Sequence, residues 1–288
     1  MALDNSPVEY SVAIEQDTGT IQLRVRDKYP GVSLNRFDAI SDLFFPQGAS
    51  GPMAGMHSFV SNPTAEPQWK IYLNPRALGL SEADNIVREA LNRLEMPEAY
   101  EVLQGMKASE TESFVYFSLD LHQSHKSRVK VYIQHTDITA ITIMKRLAPS
   151  MGMPASELHR FCTTLSGGSE GPYASKKVIT CFAFTQGSTG ELNIETTLHF
   201  PVSHYAAHDA EIQTRVQKYV LSLPKGERQE DAILQTYKRL IEAVAHRLLE
   251  SGRGIHAWVG LKGSGTRSPV LTFYLQPEMF KVLEREHC

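Results

Sequence analysis

The stretch Ser127-Arg128-Val129-Lys130-Val131-Tyr132-Ile133-Gln134-His135 alternates without a break. A period of two marks an extended strand, because successive side chains leave it on opposite faces. Arg128, Lys130 and Tyr132 therefore share one face, and Val129, Val131 and Ile133 share the other. One face is cationic and aromatic, the other aliphatic. Taken alone, this describes a half-buried strand with a wet outer side. The pattern recurs, and the recurrence restricts the fold.

Five strand pairs are expected, over 9–15 with 20–26, 57–61 with 69–74, 113–121 with 128–134, 177–185 with 191–200, and 256–261 with 270–276. Asp17 and Gly19 supply the first turn, and Pro75 ends the second pair by removing a ladder donor. The second strands line up as Arg24-Val25-Arg26, Lys70-Ile71-Tyr72, Lys130-Val131-Tyr132, Thr197-Leu198-His199 and Thr272-Phe273-Tyr274. Each has an apolar centre between cationic, hydroxylic, imidazole or phenolic neighbours.

Between the pairs the apolar spacing lengthens to that of a helix. Ser33 is expected to cap a helix carrying Phe37, Ile40, Leu43, Phe44 and Phe45, and Ser81 one carrying Ile86, Val87, Ala90, Leu91 and Leu94. Further helices are expected over 98–106, 139–148, 155–165, 207–222 and 229–251, the last stopped by Gly252 and Gly254.

Amphipathic helices must cover the aliphatic face of the strands, which sends the polar face to the other side. An open sheet would leave two edges and a broad basic surface in water, whereas closure removes both. The expected fold is α+β, an antiparallel barrel of ten strands in five hairpins, ringed by helices, around a solvent-accessible chamber. No linker or shift in composition interrupts the series, so residues 1–288 are expected to form a single domain.

A net charge of −3 and a pI near 6.4 give no global attraction to nucleic acid or to an anionic membrane. Neither a basic, apolar leader nor a run of about 18 apolar residues occurs, so a soluble, cytoplasmic protein is expected. Cys162, Cys181 and Cys288 form no CxxC pair and support neither a disulfide framework nor a thiolate zinc site. The glycine-rich segment 166–172 lacks the GxxxxGK[ST] spacing and precedes a strand, which argues against a phosphate loop. His199, His204, His208 and Asp209 lack an HExxH-type base, so no metal site is expected there.

The polar face gathers Arg24, Lys70, Arg128 and Lys130, with Tyr72, Tyr132 and Tyr274 along the same strands. Four cations in one cavity repel one another and lose hydration, so a bound polyanion is their natural counterweight. Arg offers a fork and Lys a point charge to phosphate oxygens, while aromatic faces stabilise a neighbouring cation. An anionic end beside a transiently cationic carbon describes an allylic diphosphate as it ionises.

The segments Lys70-Ile-Tyr72-Leu-Asn-Pro75, Ser118-Leu-Asp-Leu121 leading to Arg128-Val-Lys130-Val-Tyr132, Phe200-Pro-Val with His204-Tyr205 and Asp209, and Thr272-Phe-Tyr274-Leu-Gln-Pro277 resemble the dimethylallyltryptophan synthase family of aromatic prenyltransferases. The resemblance spans nearly the whole chain and fits a short, bacterial-type member. It implies the αββα (ABBA) barrel and a metal-independent enzyme without cofactor. It also implies transfer of a dimethylallyl or geranyl group from its diphosphate to an indole-containing acceptor. Carried over residue by residue, Glu9 accepts the indole N–H, and Arg24, Lys70, Arg128 and Lys130 bind diphosphate. Tyr72, Tyr132 and Tyr274 shield the allyl cation, and His57 falls about where relatives carry the lysine that removes the arenium proton.

Thr197 and His199 replace the Gln or Lys and the Tyr of many relatives, and Trp258 replaces a Tyr, which bears on the shape of the prenyl pocket. Glu9 lies close to the first residue, so an open chamber or cover by a second copy in a homodimer is also consistent with the resemblance. Two other readings stand beside it: a magnesium-dependent αββα enzyme acting on phenols, and a non-catalytic barrel that carries an anionic aromatic ligand.

Overall fold

The computed structural model describes residues 10–14, 21–25, 34–47, 55–62, 65–107, 109, 111–122, 124, 126–187, 189–223, 229–263 and 269–277. Glu9, Ser33 and Cys288 lie outside these residues. The chain divides into two compact units, one of Met1–Val25, Asp137–Val178 and Leu198–Cys288, the other of Arg26–Thr136 and Ile179–Thr197. Strand β8, Leu192–Phe200, begins in the second and ends in the first.

In the second unit, strands β3 (Gly55–Asn62), β4 (Ala65–Leu73), β5 (Ser113–Asp120), β6 (Val129–Gln134) and β7 (Ile179–Gln186) pair antiparallel in that order. Residues directly opposite in such a ladder share a face. Ile71 stands opposite Leu119, which stands opposite Val129; Leu73, Phe117 and Val131 form the parallel row. These six are all buried, as the alternation requires. They are covered by α2 (Ser41–Phe44) and α3 (Ala83–Arg93), with the Phe44 ring 5.3 Å from that of Phe117. Helix α3 buries the expected stripe of Ile86, Val87, Ala90 and Leu91, and α4 (Pro97–Met106) packs against it. Proline at the start of α4 costs nothing, since its missing N–H would have no helical partner.

In the first unit, β2 (Ile21–Val25), β1 (Tyr10–Ile14), β10 (Val270–Leu275) and β9 (His256–Lys262) are antiparallel neighbours. Helices α5 (Ala140–Met151), α6 (Ala155–Leu165), α7 (Asp209–Leu221) and α8 (Gln229–Val244) pack in sequence. Phe161 meets Tyr219 edge-on at 5.2 Å between α6 and α7, and Tyr237 of α8 lies 4.7 Å from Phe273 of β10. Among the described residues, no helix is long and apolar enough to cross a membrane.

Several boundaries differ from the sequence expectation. The first expected helix is two single turns, α1 (Asn35–Asp38) and α2, broken at Ala39 and Ile40. Ile40 and Phe44 are buried, while Phe45, just past the end of α2, is 44% exposed. Glu82 rather than Ser81 precedes α3, and its side chain makes no capping hydrogen bond. Helix α5 runs through Pro149 to Met151, because Gly152 at φ 59° supplies the left-handed turn that ends it. Helix α8 stops at Val244 instead of 251, and Leu248 is 77% exposed.

That early stop serves a buried charge. Asp209 at the start of α7 is fully buried and accepts hydrogen bonds from His256 N and Ile255 N, lies 2.9 Å from His256 Nδ1, and receives Arg247 at 2.6 Å. His256 Nε2 lies 2.7 Å from the Tyr237 hydroxyl on α8. One carboxylate thus ties together α7, α8, β9 and the segment carrying Arg247. Asp209→Ala should lower unfolding free energy by about 3–5 kcal/mol, because it leaves a guanidinium and two backbone N–H groups without their acceptor. A urea titration measures this, with Asp209→Asn expected to lose less.

Candidate active site

On the polar face of the second unit, register decides which side chains meet. Lys70 stands opposite Asp120, Tyr72 opposite Ser118, Ser118 opposite Lys130, and Tyr116 opposite Tyr132. Asp120 Oδ2 accepts hydrogen bonds from Arg128 Nε at 2.8 Å and from Arg128 N at 3.2 Å. Its Oδ1 lies 3.6 Å from Lys70 Nζ. The two lysines are buried: Lys70 is 1% and Lys130 6% exposed. They form a buried group around a carboxylate, and only Arg128 reaches appreciably toward water.

The electrostatics follow from that arrangement. Burial by itself would raise the Asp120 pKa, but Lys70, Lys130 and Arg128 outweigh it and hold the carboxyl well below the usual range. Burial also works against Arg128, where Asp120 and then Glu195 restore and raise its affinity for a proton. Arg36 of α1 feels the same carboxylate and donates to the Ser127 carbonyl at 3.1 Å.

Three tyrosines adjoin the cations. Tyr72 and Tyr132 have ring centroids 5.8 Å apart, and Tyr116 meets both edge-on, at 6.3 Å and 5.8 Å. Edge-to-face packing fixes the rings and leaves π faces able to stabilise positive charge. The Ser118 hydroxyl, fully buried on this face, has no hydrogen-bond partner. A group that can bind phosphate oxygens therefore lies beside one that can shield a carbocation.

The first unit carries its own polar cluster. Tyr274 stands opposite Trp258, and its ring is 5.4 Å from His199. Gly260 lies against both rings: a Cβ there would sit in ordinary contact, 3.4 Å from His199 Nδ1 and 3.5 Å from the Tyr274 ring. Lys176 lies 5.9 Å over the Trp258 ring. Burial, then Lys176 and Arg253, lowers the His204 pKa. Ser11 stands opposite both Tyr274 and Arg24, so Arg24 holds a register position on this face, with its side chain outside the described residues.

Of the expected site residues, Lys70, Tyr72, Arg128, Lys130 and Tyr132 come together in the second unit. Tyr274, His199 and Trp258 come together in the first, while Thr197 is half-buried on β8 in the second. His57 is not where its expected role requires. It stands opposite Ile71, on the aliphatic face, while Met56 and Ser58 stand opposite Tyr72 and Lys70. One residue of register parity separates a side chain on the polar face from one on the helix-covered face. His208 caps α7 by accepting from Glu211 N, and Asp209 is bound to Arg247 and His256, so both have structural partners. Among the described residues, no cluster of three His, Cys, Asp or Glu is placed to hold a metal ion.

Asp120, Tyr116, Ser118 and Arg36 join the group although the sequence pattern does not single them out. Tyr116, Ser118 and Asp120 alternate along β5 just as Lys130 and Tyr132 do along β6, but that signal lies on the first strand of its hairpin, whereas the cationic repeat lies on the second strands. Nothing local marks Arg36, which reaches the group from a helix distant in sequence.

The chain is similar to known proteins in sequence and in fold. A sequence model of the family described as tryptophan dimethylallyltransferase matches residues 24–233. The structure of the prenyltransferase PriB in a binary complex with product diphosphate is 28% identical, with a TM-score of 0.82 over 97% of this chain and 82% of that one. The 6-dimethylallyltryptophan synthase from Micromonospora olivasterospora, solved in complex with DMASPP and Trp, is 25% identical, with a TM-score of 0.82 over 96% of this chain and 83% of that one. The 5-dimethylallyltryptophan synthase from Streptomyces coelicolor, at 24% identity and a TM-score of 0.84, covers 97% of this chain and 83% of that one and shares the fold. The chain has the α+β fold of the αββα prenyltransferases.

The depressed pKa of Asp120 links stability to pH. The unfolded carboxyl takes up its proton at a higher pH than the folded one, so the stabilisation is complete above the ordinary carboxylate range and lost on acidification through and below it. Unfolding free energy should therefore fall between about pH 5 and pH 2. Guanidinium titrations should show a shallower fall for Asp120→Asn.

Proposed function

Because the chain belongs to the tryptophan dimethylallyltransferase family, we propose that it transfers a dimethylallyl group from its diphosphate to the ring of an indole-containing acceptor and releases diphosphate. The observation that carries this reading is the buried group of Lys70, Arg128 and Lys130 beside the packed rings of Tyr72, Tyr116 and Tyr132. The carbon–oxygen bond of the donor breaks with its electron pair going to diphosphate, and the cations stabilise that developing charge. The tyrosine faces hold the allyl cation and exclude water until the arene attacks. A ring π pair forms the new carbon–carbon bond, and loss of the ring proton restores aromaticity.

The remaining assignments belong to the same proposal. Glu9 orients the acceptor through its indole N–H, Arg24 adds a fourth diphosphate contact, Tyr274 joins the tyrosine shield, and Thr197, His199 and Trp258 shape the prenyl pocket. Residues 1–288 act as one catalytic domain, a reading supported by the continuity of β8 and by a family match that runs through the division of the chain. Four basic side chains do the work that magnesium does for other prenyl diphosphates, so chelation leaves turnover intact. Geranyl diphosphate as a second donor, a homodimer and a cytoplasmic location complete it.

Incubation with dimethylallyl and geranyl diphosphate against indole and phenol acceptors, with and without EDTA, tests the proposal by product mass and pyrophosphate release. Prenylated indole formed in EDTA is expected. Pyrophosphate binding without product would instead identify a carrier, and EDTA-sensitive prenylation of phenols the magnesium-dependent type. Lys130→Ala and Arg128→Ala should each lower kcat/KM by about 10²–10³-fold, the scale of losing one preorganised charge-stabilising group.

A further inference from the structure

A site built to hold a diphosphate contains an anion of its own. Asp120 is 2% exposed, sits among the cations proposed above as diphosphate ligands, and belongs to none of the roles assigned so far. A carboxylate there opposes the binding of a polyanion, and burying it is costly unless it is paired on several sides. The structure pairs it on several sides. Arg128 donates to Oδ2 through both its backbone N and Nε, which secures one edge of the guanidinium. Lys70 faces Oδ1 at 3.6 Å, and Lys130 and Arg36 act on the carboxylate through space. Glu195 also influences Arg128, but from an exposed position on β8, so Asp120 is the buried acid of this group among the described residues.

Two further atoms bear on the same face. Asp120 Oδ1 and Ser118 Oγ are both buried and lack a hydrogen-bond partner. Ser118 stands opposite both Tyr72 and Lys130, so its hydroxyl belongs to the face that would meet the ligand. Lys70, Arg128 and Lys130 together carry a formal charge of three, which Asp120 reduces to two.

We infer that Asp120 is an internal counter-ion: it neutralises part of the buried cationic group when no diphosphate is bound, and by opposing the diphosphate it limits how long the site retains its product. This rests on the diphosphate reading of the site. Asp120 acts through Lys70, Arg128 and Lys130 and is in that sense a positioning residue. Its carboxylate lets the cations be held together in the folded chain at the expense of product affinity.

Calorimetric titration of the full chain with inorganic pyrophosphate tests this without turnover. Asp120→Asn should bind pyrophosphate about tenfold more tightly than the wild type, since a like charge a few ångströms away is removed from a site of low dielectric. Its melting temperature should fall without ligand and rise more than the wild type's on adding pyrophosphate. In turnover, KM for the prenyl diphosphate and kcat should fall together, with stronger inhibition by pyrophosphate. Asp120→Glu, which retains the charge, should keep near wild-type pyrophosphate affinity. A merely structural aspartate would instead give unchanged or weaker binding in Asp120→Asn, and that result overturns the inference. Should Asp120→Asn not fold, the pair Lys70→Gln and Lys70→Gln/Asp120→Asn decides. Removing the acid should recover about tenfold of the affinity lost with the lysine, and no recovery overturns the inference. Failure of the wild type to bind pyrophosphate would refute the diphosphate reading together with this one.

Discussion

Like charges do not gather in a protein interior unless something of opposite sign is placed among them. Lys70 and Lys130 are nearly inaccessible to water, and Arg128 lies beside them. Their proximity would be unfavourable if Asp120 did not face all three. The strand register makes that possible. Lys70 and Asp120 are directly opposed on β4 and β5, and the turn between β5 and β6 brings Arg128 back onto the same carboxylate. Much of the second unit supports this arrangement, because the aliphatic reverse of the same strands is what α2 and α3 bury.

The chemistry inherits its direction from the same alternation. Cations and tyrosines recur along one strand face at a spacing of two residues, so phosphate-binding and cation-shielding groups are neighbours by construction. Rings packed at 5.8–6.3 Å, Tyr116 edge-on to the other two, are held in place by one another. A leaving anion and a nascent carbocation need such adjacent, preorganised surroundings. The family to which the chain belongs is known by that transfer, and the side chains described here are of the kind it requires.

Legibility in the sequence varied with the range of the interaction. The strand containing Lys130 and Tyr132, with Arg128 just before it, is readable from its period alone, and so are the α3 stripe and most hairpins. Helix ends were less so. Helix α8 stops early where Arg247 is drawn to Asp209, an attraction between residues 38 apart that no local pattern announces. His57 shows the same limit at the site. Its strand was correctly placed, but its face depends on which residue of β4 it opposes, and that residue is Ile71. Asp120 and Tyr116 alternate visibly along β5, yet an isolated acid on a strand has no recognisable purpose until its cationic neighbours are known.

By itself, the sequence determined the alternation of hairpins and helices, the split of each key strand into a polar and an aliphatic face, and the identity of the basic and phenolic residues on the polar side. Those are local properties, set by backbone periodicity and side-chain solubility. Only the tertiary structure decided that Lys70, Arg128 and Lys130 share one carboxylate, that Tyr116 completes the ring cluster, and that His57 turns away. The reason is register: pairing two strands one residue out of step preserves every local pattern while exchanging every facing partner.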